Sequence, residues 1–446
     1  MAARSSHKFQ APKGTRDFYP ADMAVRRYIE SVWREVSINH GFEEIDGPTF
    51  EHLELYTAKS GPGIVSELFS FRREGGDVDY ALRPEFTPTL ARMYAARAAQ
   101  LPKPVKWFVI ESNFRAERPQ RGRLREFFQW NADIIGDDSP KADAEVIAVT
   151  IGILDRLGLT PDDVQIKVND RGAAAAFLLD HGVPETNVIP VLELIDKAAR
   201  LPLNERRQRQ EELGVSDFIL GAFGPDIIDI SFGRFDEEYA RAPKELQAAL
   251  DASRPFHDPI RMELEAHGIG DWCRYSTSIV RGLAYYTGTV FEVIAEGERA
   301  IAGGGRYDNL VELFGGPQTP AVGIAMGDVV LRLMLEDRGL LKPEELMPRP
   351  DVFVIDATEG EPARFSKLIA ELRRAGLHAR HSYRATRNVG KLLGEAGKAR
   401  ARFAVILGRE LESGNVVLKD LDAGEQRNVP LDDLVDELLR GRAAHQ

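Results

Sequence analysis

The chain has 446 residues, 43% hydrophobic and 29% charged, which is enough to bury more than one core and excludes a disordered polymer. Its 58 Lys and Arg against 70 Asp and Glu give a net charge of −12, which excludes a uniformly basic nucleic-acid coat but not a local basic patch. The lone cysteine, Cys273, excludes an intramolecular disulfide and any cysteine-cluster metal site and suits a reducing compartment. With no signal-like N-terminus and no apolar run of about 18 residues, the expectation is a soluble cytoplasmic protein with no membrane partner.

Val25, Ile29, Val32, Trp33 and Val36 recur at helical spacing and predict a helix over Ala21 to Asn39, ended by His40-Gly41. Val105 to Ile110 reads as a strand and Phe127 to Ile135 as another, with Glu111 to Glu126 between them as a long charged hairpin loop. Gln129 and Asp133, four apart on the second strand, share a face. From about Pro184 to Pro255 the chain turns helix-favouring and highly charged, with turn signals at Gly224-Pro225 and Arg254-Pro255, and reads as an inserted helical module. Strand signals return at Thr289 to Ala295. The glycines of the following loop, Gly303-Gly304-Gly305, permit close backbone approach but do not form a dinucleotide fingerprint.

Pro343, Pro348 and Pro350 mark a boundary. Beyond it, strands at Asp351–Ala357, Leu377–Tyr383, Arg402–Leu407 and Val416–Leu421 alternate with helices at Glu361–Ala375, Asn388–Ala399 and Leu431–Arg440. This predicts a small α/β domain with a mainly parallel sheet. Residues 361–409 hold twelve basic and three acidic side chains, an excess that suits a polyanionic partner.

The hairpin loop is the strongest chemical signal. Arg115, Arg118, Arg121, Arg123 and Arg125 fall within eleven residues and repel one another unless anions arrive; guanidinium forks match phosphate oxygens. The surrounding stretch FRAERPQRGRLREFFQWNADIIG, residues 114–136, resembles motif 2 of class II aminoacyl-tRNA synthetases in its histidyl-tRNA synthetase form. KGTRDFYP (13–20) resembles the N-terminal signature of that family, and the first helix with residues 41–48 resembles its motif 1. Leu82-Arg83-Pro84-Glu85-Phe86-Thr87 resembles its LRPEGT block. Arg281-Gly282-Leu283-Ala284-Tyr285-Tyr286 and Gly304-Gly305-Arg306-Tyr307-Asp308 resemble its two histidine-specific blocks, and the C-terminal α/β unit resembles the class IIa anticodon-binding domain.

The resemblance implies an α+β fold. An antiparallel sheet flanked by helices would form the catalytic domain over 1–345, interrupted by the helical insertion at 184–255, with an anticodon-binding domain at 350–446. It implies a homodimer through motif 1 and a histidine–tRNA ligase that takes L-histidine, ATP with Mg²⁺, and tRNA(His), with no zinc and no organic cofactor. By motif match, Arg115 and Arg281 are catalytic, acting on the phosphoryl oxygens where charge develops. The histidine contacts implied are Glu85, Thr87, Arg115, Gln129, Asp133, Arg281, Tyr285, Tyr286 and Tyr307. For ATP they are Arg115, Glu117, Arg123, Phe127 and Arg306.

Two positions depart from the family pattern. Ala284 replaces an aspartate. In the segment Ala321 to Val330, which matches motif 3, Val330 stands where the class has an arginine that contacts the γ-phosphate. Arg332 lies roughly 200° further round a helix, so the expected substitutes are Arg306 or an arginine of the hairpin loop. Two other readings remain open: a ligase-silent histidine sensor, like the synthetase-like regulatory subunit of ATP phosphoribosyltransferase, and a tRNA-sensing module without chemistry.

Overall fold

The computed structural model describes residues 9–60, 62–198, 201–224, 228–281, 285–295, 300–358 and 362–443. The chain divides into two compact units, residues 1–343 and 344–446, parting inside the proline-marked stretch.

The strands of the first unit are β1 (Glu43–Glu44), β2 (Phe50–His52), β3 (Ser70–Arg72), β4 (Asp79–Leu82), β5 (Val105–Phe114), β6 (Glu126–Ile135), β7 (Gln165–Asp170), β8 (Asp229–Ser231), β9 (Cys273–Ser276), β10 (Thr289–Ile294), β11 (Ala302–Arg306) and β12 (Ala321–Gly327). Nine of them form one sheet in the order β1-β5-β6-β12-β11-β10-β7-β9-β8, and β2-β4-β3 form a small separate sheet. The large sheet is antiparallel except where β1 meets β5 and β7 meets β9.

Strand β6 explains how the sheet separates core from site. Phe128, Trp130, Ala132 and Ile134 alternate with Gln129, Asn131 and Asp133, so one face is apolar and the other polar. The apolar face meets the helix Pro20–Asn39, which buries Val25, Ile29, Val32, Trp33 and Val36. There the indole of Trp33 donates to Met326 Sδ at 3.4 Å, and that of Trp130 to Ser37 Oγ at 2.8 Å. Large aromatic rings thus bury their area while their N–H groups stay paired.

Strand β5 runs to Phe114, four residues beyond the expected end, so the hairpin loop shrinks to residues 115–125. Polar side chains of this extension hydrogen-bond along β5 and across to β6. Asn113 donates to Glu111 at 2.8 Å and to Gln129 at 3.0 Å, and Asn131 donates to Glu111 at 3.1 Å. Burial pushes the Glu111 carboxyl up to about 8, against the pull of the nearby Arg83 charge.

The helical stretch differs from the sequence expectation. Helices at Glu185–Lys197, Leu203–Leu213 and Asp217–Gly221 share a core with Ala174, Leu178 and Val280. Strand β8, however, returns to the large sheet beside β9. Arg254-Pro255 ends nothing: Pro255 and Pro259 lie inside the helix Lys244–Ala266. Its buried stripe of Leu250, His257, Ile260 and Leu264 packs it along its length despite both prolines.

The second unit contains β13 (Val352–Asp356), β14 (Ala379–His381), β15 (Phe403–Leu407), β16 (Asn415–Asp420) and β17 (Gln426–Pro430), in the order β14-β13-β15-β16-β17. Helices Pro362–Arg374, Val389–Lys398 and Leu434–Ala443 cover it. Only β13 with β14 and β13 with β15 are parallel; β15, β16 and β17 pair antiparallel, so the sheet is mixed rather than mainly parallel. Strand β17 is an edge strand with one buried residue, Val429, so it carries no apolar pattern by which it could be read in advance.

Candidate active site

The polar face of the large sheet opens into a cavity of about 840 Å³. Gln129, Asn131 and Asp133 line it from β6, Gly323 and Ala325 from β12, Gly303 from β11 and Glu292 from β10.

Asp133 stands at the buried end of this cavity. It is 5% exposed, and the Tyr307 hydroxyl donates to its Oδ1 at 2.5 Å. Burial pushes the Asp133 carboxyl up to about 7, with the Tyr307 hydrogen bond pulling the other way. Burial also raises the Tyr307 hydroxyl well above the usual phenol range, so that hydroxyl stays a donor. The group is thus an acid poised to change charge near neutral pH at the closed end of a polar pocket.

Arg281 is held from three directions. Its guanidinium donates to Glu292 Oε1 at 2.7 Å and lies 5.7 Å from the Tyr286 ring centroid. Its carbonyl accepts from the buried Arg171 at 2.7 Å. Its backbone has φ +45°, a left-handed conformation that costs a non-glycine residue about 1–3 kcal/mol and persists only where the surroundings impose it. The backbone is therefore not extended at Arg281. Gly282, Leu283 and Ala284, including the departure at Ala284, lie outside the described residues.

The glycines of β11 and β12 make room for these groups. A Cβ on Gly323 would stand 1.8 Å from Asp133 Oδ1, and one on Gly303 would stand 1.8 Å from an Arg281 guanidinium nitrogen. These glycines serve strand-to-side-chain clearance, and Gly303-Gly304-Gly305 is strand, not loop.

Arg115 follows β5 directly. Its Nε donates to the Pro84 carbonyl at 3.2 Å, and its guanidinium lies 5.1 Å from the Phe127 ring centroid. Buried Arg83 donates to the carbonyls of Gly47 and Ser112, both at 2.9 Å, docking the 82–87 block on the end of β5. That docking brings Glu85 and Thr87 to the cavity wall.

Arg115, Arg281, Glu85, Thr87, Gln129, Asp133, Tyr285, Tyr286, Tyr307, Arg123 and Phe127 all line the one cavity. Two expected ATP contacts do not. Arg306 is 7% exposed and fully committed: it donates to both Asp143 oxygens, at 2.7 and 3.2 Å, and to the carbonyls of Asp137 and Ser139. It is a brace between β11 and the helix that begins at Pro140, not a free cation. Glu117 lies off the wall and pairs with Arg123 at 2.7 Å. Arg332 is likewise spoken for, by Asp22 and Glu336, while Val330 itself lines the cavity.

Sequence reasoning missed Lys59, Glu292 and Arg171. Glu292 could have been suspected as the one charged residue in the apolar strand β10. Lys59 and Arg171 carry no local signal.

A sequence model described as histidyl-tRNA synthetase matches residues 14–328, and one described as an anticodon binding domain matches residues 351–440. The chain belongs to the histidyl-tRNA synthetase family. It is 38% identical to the histidine–tRNA ligase of Haloarcula marismortui over 438 residues, covering 95% of this chain and 96% of that one. It is 39% identical to that of Opitutus terrae over 428 residues, with coverage of 95% and 96%. The crystal structure of histidyl-tRNA synthetase from Nostoc sp. PCC 7120 superposes with a TM-score of 0.76 at 26% identity, covering 98% of this chain and 100% of that one. The family's function is the ATP-dependent formation of histidyl-tRNA.

Because Asp133 and Arg281 occupy the space of absent side chains, Gly323→Ala and Gly303→Ala are expected to lower stability by about 1–3 kcal/mol each through overpacking. Thermal unfolding followed by calorimetry measures this. An alanine at exposed Gly394, where φ is not positive and a Cβ meets nothing within 4 Å, serves as the comparison without overpacking.

Proposed function

We propose that this chain is an active histidine–tRNA ligase, joining L-histidine to ATP as histidyl-adenylate and then to the 3′ end of tRNA(His). The observation that carries the reading is the convergence of Arg115, Arg281 and Asp133 on one cavity. The histidine carboxylate attacks the α-phosphorus in line and pyrophosphate leaves. Arg115 and Arg281 then offset the negative charge that grows on the phosphoryl oxygens. In the second step a ribose hydroxyl of the tRNA end attacks the activated carbonyl and AMP leaves.

Asp133, with Tyr307, takes the imidazole: a buried carboxyl that titrates near neutrality suits a ring that does the same. Glu85, Thr87 and Gln129, with Tyr285 and Tyr286, complete the amino-acid pocket. A site built to pair polar edges rejects analogues that lack them. Arg115, Phe127 and Arg123 hold ATP. With Arg306 and Arg332 committed elsewhere and Val330 apolar, Arg123 is the arginine we assign to the outer phosphates.

The cation we assign is Mg²⁺ carried on the triphosphate. Among the described residues no group of three or more His, Cys, Asp or Glu side chains is disposed to hold a metal. The homodimer is supported by an exposed aromatic face on β2-β4-β3, where Phe50, Phe71 and Tyr80 rings pack at 5.6 to 5.8 Å. Cytoplasmic placement agrees with the described residues, in which no helix is long and apolar enough to cross a membrane. The basic run 361–409 supports the tRNA partner.

The reading requires ATP–pyrophosphate exchange that depends on histidine; a protein that shows no exchange with any amino acid ends it. Arg281→Ala is expected to lower the exchange rate on the order of 10²–10³-fold while histidine still binds. Arg123→Ala is expected to raise KM for ATP roughly tenfold or more, the worth of a charged hydrogen bond, and to spare KM for histidine.

Histidine affinity follows from proton count. The imidazole (about 6.5 free) and Asp133 (about 7) must share one proton in the complex. Below both values that proton pair carries one too many, and above both it carries none. Affinity measured by titration calorimetry is therefore expected to peak between the two and to fall on the order of tenfold by about pH 5 and again by about pH 8.5. Asp133→Asn flattens the profile.

A further inference from the structure

Lys59 lies on the helix Leu53–Ser60, outside every motif that identifies the family, yet its side chain is 2% exposed. Its ammonium stands 2.7 Å from Glu85 Oε2 and 4.0 Å from the centroid of the Tyr285 ring. Glu85 and Tyr285 both line the cavity, whereas Lys59 does not reach its surface. An ammonium is compact and strongly hydrated, and burying it is costly unless a charge and an electron-rich face replace its water. Here both replacements are walls of the amino-acid pocket. Burial lowers the Lys59 pKa, Glu85 works against that, and the nearby Arg115 charge adds to it.

We infer that Lys59 is a positioning residue of the amino-acid pocket, fixing the Glu85 carboxylate from behind so that the substrate ammonium meets a preset acceptor. This rests on the ligase reading above. The Glu85 side chain is 24% exposed, so one side of it belongs to Lys59 and the rest to the cavity. A carboxylate has about four lone-pair sites, and a single lysine contact leaves room for a second cation. Without Lys59 the carboxylate faces a low-dielectric wall with no countercharge. It is then free to rotate, which weakens its grip on an ammonium group. The pair thus acts on substrate affinity and not on the phosphoryl step.

The test is a double-mutant cycle on the full chain, with histidine affinity by calorimetry and with KM for histidine and for ATP from pyrophosphate exchange. Lys59→Met is expected to raise the histidine Kd and KM about tenfold, roughly the worth of one charged hydrogen bond, and to leave KM for ATP unchanged. Glu85→Gln alone should weaken histidine at least as much. In the Glu85→Gln background Lys59→Met should cost nothing further, because its target is gone. Lys59→Arg, which keeps the charge, should recover most of the affinity, and Lys59→Gln replaces Lys59→Met in the cycle if that variant fails to fold. An unchanged or tighter histidine Kd in Lys59→Met, or a Lys59 cost that persists in the Glu85→Gln background, overturns the inference. Wild-type protein that binds histidine but does no exchange sinks the ligase reading while the cycle still decides the role of Lys59. Wild-type protein that binds no histidine overturns both.

Discussion

The carboxylate of Asp133 and the guanidinium of Arg281 each occupy volume that a side chain on the facing strand would otherwise fill. Gly323 is the direct cross-strand partner of Asp133, and Gly303 is the partner of Glu292, to which Arg281 is tied. The same relation holds at Gly305, where a Cβ would stand 3.0 Å from the Tyr286 ring. A sheet normally presents a closed layer of side chains on each face. Here β11 and β12 give up that layer over a few residues, and the cavity is the space they leave. Its floor is fixed by backbone pairing, so Asp133 and Glu292, which stand on strands, are held without dependence on loops.

That arrangement requires the opposite face to supply the stability. Phe128, Trp130, Ala132 and Ile134 on β6, with Val322 and Met326 on β12, are buried on the side away from the cavity, and the helix Pro20–Asn39 packs there. The strict two-residue period lets one strand carry a packed core and a polar site at once. A shift of one residue in the β6–β12 register would exchange the two faces completely, so selection on either face constrains the other.

This period is also what made the site partly legible in the sequence. The alternation from Phe128 to Ile134 put Gln129 and Asp133 on one face, and the family blocks named the residues that line the cavity from other elements. Arg306 was misjudged for a physical reason: a charged residue in a matched block looks available until its neighbours are known, and Asp143, which commits it, lies 163 positions away. The β5 extension was missed because Glu111 and Asn113 read as loop when their partners, Gln129 and Asn131, are not seen. Lys59 was invisible because nothing local separates a buried lysine from a solvated one. The edge strand β17 and the proline-containing helix Lys244–Ala266 were hidden likewise, since tertiary packing decides both.

The charged groups of the cavity share one further property, which is that each already has a protein partner. Asp133 has Tyr307, Arg281 has Glu292, Glu85 has Lys59 and Arg123 has Glu117. Ligand binding at such a site exchanges one partner for another, or adds a second, and does not bring an unpaired buried charge into contact for the first time. The difference between the pairs lies in what carries them. Asp133 and Glu292 sit on strands of the large sheet and move little, which suits groups that must discriminate a ring or face a developing charge. Arg123 and Glu117 sit in the hairpin loop and are about a third and a quarter exposed, so their pair is weak and easily surrendered. A loop arginine with a cheap partner can turn to a triphosphate that arrives from solvent, whereas a fully committed Arg306 cannot. The absence of a motif 3 arginine at Val330 is therefore compatible with phosphate recognition, provided the hairpin supplies the cation that the sheet does not.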